Sequence, residues 1–416
     1  MAGNTRAPRQ AALAFIFITV LLDGLAIGVV IPVLPMLVAS FLGGDIGQAA
    51  ETVGDFGLIF AAMQFIASPV VGALSDRIGR RPIILMSNFG LGLDYVLMAL
   101  APNLTLLFIG RVISGITAAS FSTAGAYIAD VTPPEKRAAG FGLLGAAFGL
   151  AFVLGPALGG LLGSIEPRLP FWGAAGLSLA NALYGLFVLP ESLAGDKRSP
   201  FSWKKANPIA SLAMLRRHGE LLGLAFGNFL NFLAHEVLPN VWVLYATYRY
   251  GWGEASIGLT LAAVGLCSIV TQAGMVRSAV ARLGERNVLL GGLGFGVVGF
   301  AVYGLAPTGL LFCIGIPIMA IWALIGPVVQ SLMTRHVGPE EQGQLQGALS
   351  AMRGISGMIG PKLFTSAFAI FIAADRTDKQ PGAPFLLSAL LVLLSIGLVW
   401  RATRRRRPVV SAETAG

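Results

Sequence analysis

The chain has 416 residues, of which 55% are hydrophobic and only 12% are charged, with a formal net charge of +9. A soluble globular domain carries about 25% charged residues, so the composition excludes an ordinary soluble protein and indicates a membrane protein. The two cysteines, Cys267 and Cys313, both lie in apolar runs. We therefore expect buried thiols and predict no disulfide framework, no metal centre and no cofactor.

The first membrane helix is expected to be retained in the mature chain. Residues 1–10 are polar, and the apolar run after them is too long for a signal peptide and ends in no small-residue cleavage site. A membrane span needs about 20 mostly apolar residues. Twelve runs meet this requirement: 11–38, 54–75, 82–101, 104–129, 138–164, 170–191, 220–247, 256–280, 287–306, 309–333, 343–373 and 384–401.

The distribution of Lys and Arg predicts the orientation of these spans. With the N-terminus in the cytoplasm, 22 of the 29 basic residues lie in cytoplasmic segments and four lie in outer loops. This bias places both termini and the central connection, 192–219, in the cytoplasm. The basic segments then face the anionic headgroups of the lipid bilayer, and we predict no nucleic-acid partner.

An internal repeat relates the two halves of the chain. At a single offset of 205 residues, the Leu-Ala-Pro tripeptide at 100–102 recurs at 305–307, and the Gly-Pro pair at 155–156 recurs at 360–361. A duplication in one orientation is an architecture of transporters, in which two bundles rock about a central site. The sequence therefore predicts an all-α membrane protein with twelve transmembrane helices in two parallel six-helix repeats. The predicted units are an N-terminal bundle (1–191), a cytoplasmic central loop (192–219) and a C-terminal bundle with a basic tail (220–416).

A glycine-containing basic turn separates the second and third predicted spans. Asp76 and Arg80 are four residues apart and can meet at a helix end, while Gly79 permits a tight turn. An ordinary basic loop is the alternative interpretation.

Three charged residues lie within the first-half spans. An arginine in a membrane helix costs at least ~2.5 kcal/mol, so Arg111 must face a cavity or a partner unless it reaches the surface. Asp23 and Asp94 are candidates for carrying a proton. The alternative is a permanent ion pair with Arg111 that only holds the bundle together.

The second half has charged and polar candidates of its own. His235 and Glu236 form a titratable pair that can take part in proton coupling or in a hydrogen-bonded gate. With 3 histidines in the chain, no zinc site is expected. Four polar side chains within the spans are candidates for substrate contacts: Gln64, Asn88, Gln272 and Arg353.

The fifth predicted span is rich in small residues, which allow neighbouring helices to approach closely. Its proline is expected to bend the helix, and packing alone is the alternative to a functional role. The residues concerned are Gly142, Gly155, Pro156, Gly159 and Gly160.

These motifs resemble those of the major facilitator superfamily. The turn at 72–82 is similar to its signature loop, and the Gly-Pro-x-x-Gly-Gly pattern at 155–160 is similar to its antiporters. The strings at 62–65, 241–245 and 342–347 look like those of the tetracycline-resistance exporters.

This resemblance implies several properties. It implies an Asp76–Arg80–Asp130 latch that joins helix ends in the outward-facing state, and a role for Arg111 in proton coupling. It further implies export of a drug–metal chelate in exchange for protons, with no enzymatic activity. We expect a monomer in a bacterial inner membrane.

Several positions depart from the tetracycline-exporter pattern. Gly296 stands where the family has an acid, and Ser268 stands where it has a coupling histidine. Ala151 replaces a usual glycine, while Arg353 and Lys362 add positive charge, to neutralise Glu236 or to bind an anion. A proton-coupled transporter of an unrelated metabolite, including an anionic one, is therefore the alternative function.

Overall fold

The computed structural model describes residues 6–118, 120–133, 137–201, 211–215, 219–338 and 341–404. Within these ranges the chain forms α-helices, one 3₁₀ turn (Gly195–Lys197) and no strand. The helices are α1 (Arg6–Val30), α2 (Leu34–Phe41), α3 (Ile46–Ile78), α4 (Arg80–Leu100), α5 (Leu104–Thr117), α6 (Ser120–Val131), α7 (Arg137–Ile165), α8 (Leu169–Val188), α9 (Leu212–Leu215), α10 (Gly219–His235), α11 (Val237–Tyr250), α12 (Glu254–Gly274), α13 (Val276–Leu283), α14 (Glu285–Leu305), α15 (Gly309–Trp322), α16 (Ile325–Thr334), α17 (Gln342–Ile372) and α18 (Ala383–Arg404).

These helices confirm the prediction of twelve spans. Eleven helical stretches of the described chain are long and apolar enough to cross a membrane. The one remaining predicted span, 104–129, corresponds to α5, a shorter apolar helix, and to α6, which follows it.

Proline explains three of the breaks that divide single spans into two helices. A proline ring clashes with the carbonyl group four residues before it and has no N–H to donate. Pro35, Pro239 and Pro327 each follow such a break within four residues, between α1 and α2, α10 and α11, and α15 and α16. The breaks between α5 and α6 and between α12 and α13 have no following proline of this kind.

The duplication is visible in the helix boundaries. Both ends of α14 lie 205 residues after the ends of α4, and the same holds for α15 and α5. The caps repeat as well. Asn103 Oδ1 accepts a hydrogen bond from Leu106 N at 3.0 Å before α5, and Thr308 Oγ1 accepts one from Leu311 N at 3.4 Å before α15. The two halves therefore share their local structure as well as their helix count.

Two faces of the bundle are distinguished by their connections. The basic face carries the turns at 77–81 and 282–286 and the start of the central connection, where Ser199 N donates to Asp76 O at 3.1 Å. The opposite face carries the connections at 42–45 and 306–308.

The halves of the molecule contact each other mainly along two helix pairs, of which α3 and α17 form the first. Lys362 Nζ of α17 lies 2.7 Å from Asp55 Oδ1 of α3. Further along, a Cβ atom on Gly57 would lie 2.6 Å from Pro361, and one on Gly357 would lie 3.7 Å from Ala61. This contact extends from near the opposite face to the middle of the bundle.

The second pair, α7 and α12, shows the same distribution. A Cβ atom on Gly160 would lie 2.9 Å from the Cα atom of Gly258. Nearer the basic face, Gly142, Gly145 and Gly274 have no other part of the described chain within 4 Å of their Cβ positions, apart from their own helix. The halves are thus in contact toward the opposite face and separate toward the basic face.

We expect substitution of Gly160 by alanine to destabilise the protein. Overpacking of a close contact costs about 1–3 kcal/mol, because the added methyl group meets the backbone of α12. Gly145→Ala, on the same helix in open space, is the matched control. Thermal unfolding of the purified protein in detergent measures both variants, and equal melting temperatures would contradict the packing account.

The ion pair between Asp55 and Lys362 should help to hold the opposite face closed. Both side chains are partly exposed, at 55% and 39%. Loss of the ion pair should therefore increase the population that is open at the opposite face roughly two- to fivefold. We expect Asp55→Asn to increase the labelling rate of an Ala61→Cys probe by an impermeant maleimide, in a background with Cys267 and Cys313 replaced by serine. The double exchange Asp55→Lys with Lys362→Asp should restore the slower rate, and unchanged labelling in Asp55→Asn would refute this role.

Candidate transport site

The main cavity has a volume of about 540 Å³ and lies in the second half, among α10, α11, α12, α14, α15, α16 and α17. This size is typical of a pocket for a drug-like molecule. The first half contributes Ile31 and Phe152 to its wall. The polar residues that line it are Asn231, His235, Glu236, Ser268, Gln272 and Arg353.

Aromatic rings hold several of these polar groups in position. His235 stacks on Trp322, with ring centroids 5.7 Å apart and an angle of 26° between the planes. Trp322 Nε1 donates a hydrogen bond to Asn231 Oδ1 at 2.8 Å. The guanidinium carbon of Arg353 lies 4.7 Å from the centroid of the Phe232 ring, a cation–π distance.

Glu236 and Arg353 place opposite charges on the same cavity wall. They lie close enough to interact electrostatically, yet they form no direct ion pair within the described chain. Among the described residues, the Glu236 carboxylate accepts only one hydrogen bond from another side chain, a long one from Asn240 Nδ2 at 3.5 Å. Lys362, considered above as a counterion for Glu236, pairs with Asp55 instead.

The three charged residues predicted in the first half lie in one buried cluster. Asp94 accepts a hydrogen bond from Ser114 Oγ, and Asp23 and Asp94 are only 3% and 1% exposed. Tyr95 lies within electrostatic range of Asp23, Asp94 and Arg111. Asp94 and Arg111 form no direct ion pair in the described chain, so the permanent Asp94–Arg111 pair considered from the sequence is not observed.

Arg111 also meets an aromatic ring. Its guanidinium carbon lies 4.9 Å from the centroid of Phe60, on α3. The arginine therefore has neighbours inside the bundle, which offset the cost of its charge in the membrane.

The four substrate candidates divide between two locations. Gln272 and Arg353 line the main cavity. Gln64 lies half-buried on α3, and Asn88 is fully buried on α4 with no hydrogen bond from its amide to the described chain. Neither Gln64 nor Asn88 lines the main cavity.

The structure brings together the three residues of the predicted latch. Arg80 Nη1 lies 2.6 Å from Asp76 Oδ1, and Arg80 Nε lies 3.1 Å from Asp130 Oδ2. Gly79 adopts a φ of +115°, a conformation that side chains rarely tolerate. The cluster joins the basic-face ends of α3, α4 and α6 within the first half.

Glu191 completes this cluster and was missed in the sequence. Its carboxylate accepts hydrogen bonds from the backbone N–H groups of Arg80, at 2.9 Å, and Arg81, at 3.3 Å. It thereby satisfies free donors at the N-terminus of α4, where a negative charge is favourable. The one available signal was a Pro-Glu pair at the very end of the sixth predicted span, 170–191.

The second half contains the same salt bridge with its charges exchanged. Arg335 Nη2 lies 2.5 Å from Glu285 Oε1, and these positions are 205 residues after Asp130 and Arg80. The preceding glycine, Gly284, also has a positive φ of +75°. Asp76 has no acidic counterpart, because Ala281 stands 205 residues after it, so the second half keeps the pair of opposite charges without the second acid.

The small residues of α7 have different environments. A Cβ atom on Gly155 would lie 2.8 Å from the Cα atom of Gly28, and one on Gly159 would meet the backbone of Val29. Gly160 instead approaches α12, and the carbonyl group of Pro156 also contacts that helix. Gly142 makes no such approach to the described chain in this conformation, so a packing role for it stays a prediction.

Comparison with known proteins agrees with this architecture. Residues 16–361 match the family model of the Major Facilitator Superfamily. The chain belongs to this superfamily. It is 38% identical over 398 residues to the class C tetracycline resistance protein of Escherichia coli, covering 95% of this chain and 98% of that protein. The class G protein of Vibrio anguillarum is 34% identical, over 91% of this chain and 95% of the relative.

Solved structures of other superfamily members share the fold. The human organic anion transporter MFSD10 (TETRAN) has a TM-score of 0.71 at 24% identity, over 94% of this chain and 99% of that one. The nucleoside transporter NupG has a TM-score of 0.76 at 12% identity, over 95% and 100%. The family model confirms the predicted resemblance to the major facilitator superfamily, and the 38% identity to the class C protein confirms the resemblance to the tetracycline resistance proteins.

The structural equivalence of the Arg80–Asp130 and Glu285–Arg335 salt bridges can be tested by giving the first half the charges of the second. Arg80→Glu adds a fourth acid to Asp76, Asp130 and Glu191 at the latch and should destabilise the protein by roughly 2–4 kcal/mol. Adding Asp130→Arg recreates the arrangement of Glu285 and Arg335, and should recover part of the lost stability. Thermal unfolding in detergent measures both, and a double variant no more stable than Arg80→Glu alone would contradict the equivalence.

Proposed function

We propose that the chain is a proton-driven exporter of tetracycline-like drugs. This proposal rests chiefly on the 38% identity to a tetracycline resistance protein along nearly the full length of both chains. The main cavity supports the proposal, since its volume of about 540 Å³ and its mixed aromatic and polar wall suit a drug-sized molecule.

The contacts between the halves suggest how the site changes access. In this conformation the halves touch toward the opposite face and separate toward the basic face, which we assign to the cytoplasm from its excess of Lys and Arg. A drug would enter from that side. Rocking of the halves would then separate α3 from α17 and α7 from α12. The Asp76–Arg80–Asp130 latch lies where the basic-face ends would meet.

Proton coupling is assigned to the two charged clusters. Asp23, Asp94 and Arg111 lie inside the first half, and His235 and Glu236 line the cavity in the second half. A carboxyl group that takes up a proton from one side of the membrane and releases it to the other can drive antiport. This requires that the group is never accessible from both sides at once. The near-complete burial of Asp23 and Asp94 in this conformation is consistent with such a seal.

We further propose that the protein acts as a monomer in a bacterial inner membrane and carries out no enzymatic reaction. Both halves of the transport unit belong to one chain, and the bacterial tetracycline resistance proteins match it over almost their whole length. The orientation, with both termini in the cytoplasm, rests on the positive-inside rule.

A drug-susceptibility panel on an efflux-deficient bacterium tests the proposed function. Expression of the chain should raise the inhibitory concentration of tetracyclines several-fold. Asp23→Asn and Asp94→Asn should each abolish the increase, because neither side chain can then release a proton. Asp375→Asn, at an exposed acid outside the spans, is the control and should retain resistance. Unchanged susceptibility to every drug in the panel, with the protein present in the membrane, would refute the proposal.

A further inference from the structure

The charges of the main cavity describe the substrate more closely than its volume does. Within the described lining, Glu236 is the one acid and Arg353 the one permanent cation. Neither is neutralised by a direct ion pair in the described chain. Both side chains are reachable from the cavity, Arg353 being exposed and Glu236 half-buried. When Glu236 is ionised and His235 is neutral, the wall therefore presents a separated negative and positive charge that cancel.

A second chamber adjoins the cavity at Arg353. It has a volume of about 340 Å³ and shares Phe232, Gly326 and Arg353 with the main cavity. Its other polar lining residues are neutral: Asn228, Gln330, Gln346 and Ser350. The guanidinium of Arg353 thus borders two accessible spaces, and the second contains no acid in the described lining to compete for it.

The chamber also indicates a direction of approach. Because α17 begins at Gln342 on the basic face, Gln346 and Ser350 precede Arg353 along the path into the bundle. An acidic group that enters from the basic face would first meet amide and hydroxyl donors and then the guanidinium. Glu236 lies beyond Arg353, on the main-cavity side.

We propose that the site takes its substrate as a metal-free zwitterion. The ammonium group of the substrate pairs with Glu236, its ionised acidic oxygens pair with Arg353, and Trp322 and Phe232 border the ring system between them. This inference rests on the proposed function and names the form of the drug that is recognised. A metal chelate carrying net positive charge would leave Arg353 repelled and unpaired, whereas a zwitterion compensates both charges of the wall.

The decisive measurement is equilibrium binding of tetracycline to the purified full chain in detergent. Trp242 and Trp322 line the cavity, so quenching of tryptophan fluorescence can report occupancy. Titrations in EDTA and in excess Mg²⁺ compare the metal-free drug with its chelate. We expect affinity in EDTA to equal or exceed that in Mg²⁺. Binding that requires Mg²⁺ would overturn the inference.

Variants test which group each charge recognises. Loss of a charge-assisted hydrogen bond should weaken tetracycline binding roughly tenfold or more, so we expect this for Arg353→Gln, with partial rescue by Arg353→Lys. Arg376→Gln is the matched control. Arg376 also lies over a phenyl ring, 4.5 Å from the centroid of Phe371, but it does not line the cavity. Equal affinities of Arg353→Gln and Arg376→Gln would overturn the assignment.

The role of Glu236 requires a change in the ligand as well. A tetracycline analogue without the dimethylammonium group should bind the unsubstituted chain roughly tenfold more weakly. It should bind Glu236→Gln as well as tetracycline does, because the partner of the ammonium group is gone. A tenfold preference for tetracycline that persists in Glu236→Gln would overturn the pairing.

The outcomes separate this inference from the proposed function. Drug resistance in cells together with Mg²⁺-dependent binding would support the proposed export function and overturn the inference that the drug binds as a metal-free zwitterion. Absence of both resistance and binding would overturn the exporter and this inference with it.

Discussion

The cost of placing charge in a membrane determines where the functional residues of this protein can lie. A charged side chain at the centre of a bilayer costs at least ~2.5 kcal/mol unless it meets a partner or an aqueous cavity. The two halves meet this constraint in different ways. Asp23, Asp94 and Arg111 lie together inside the first half, with both acids almost fully buried. Glu236 and Arg353 instead line an accessible cavity in the second half.

The charged residues are thus placed differently in two copies of one six-helix unit. The helix boundaries still repeat at an offset of 205 residues, from α4 and α14 through α5 and α15. The salt bridge at the basic face also survives, as Arg80 with Asp130 in one copy and as Glu285 with Arg335 in the other. Exchange of both charges preserves the attraction between helix ends. The two halves have thus kept the same helix boundaries while the charged residues on those helices have changed.

Much of the fold could be predicted from the sequence because membrane spans and duplications are local or periodic signals. All twelve predicted spans are present, and the Asp76–Arg80–Asp130 cluster forms as expected. The proline-associated breaks within spans were not predicted, although Pro239 and Pro327 were visible. Hydropathy alone does not distinguish a bent helix from a broken one.

Contacts between distant segments could not be predicted in the same way. The pairing of Asp55 with Lys362 depends on how α3 meets α17, and a single sequence contains no direct signal for that geometry. Asn88 was proposed as a substrate contact because it is polar within a span, yet it is fully buried on α4 and does not line the main cavity. Polarity shows that a residue needs an explanation, and the tertiary packing decides what the explanation is.

In the proposed mechanism, movement of a drug through this protein is exchanged for movement of protons. Sealed proteoliposomes that contain the purified chain and a pH-sensitive dye test it directly, with a tetracycline gradient imposed in the absence of any pH gradient. We expect drug flowing down its gradient to drive protons in the opposite direction, and liposomes without protein to show no such movement. Drug flux through the protein with no accompanying proton movement, or with protons moving in the same direction as the drug, would contradict it.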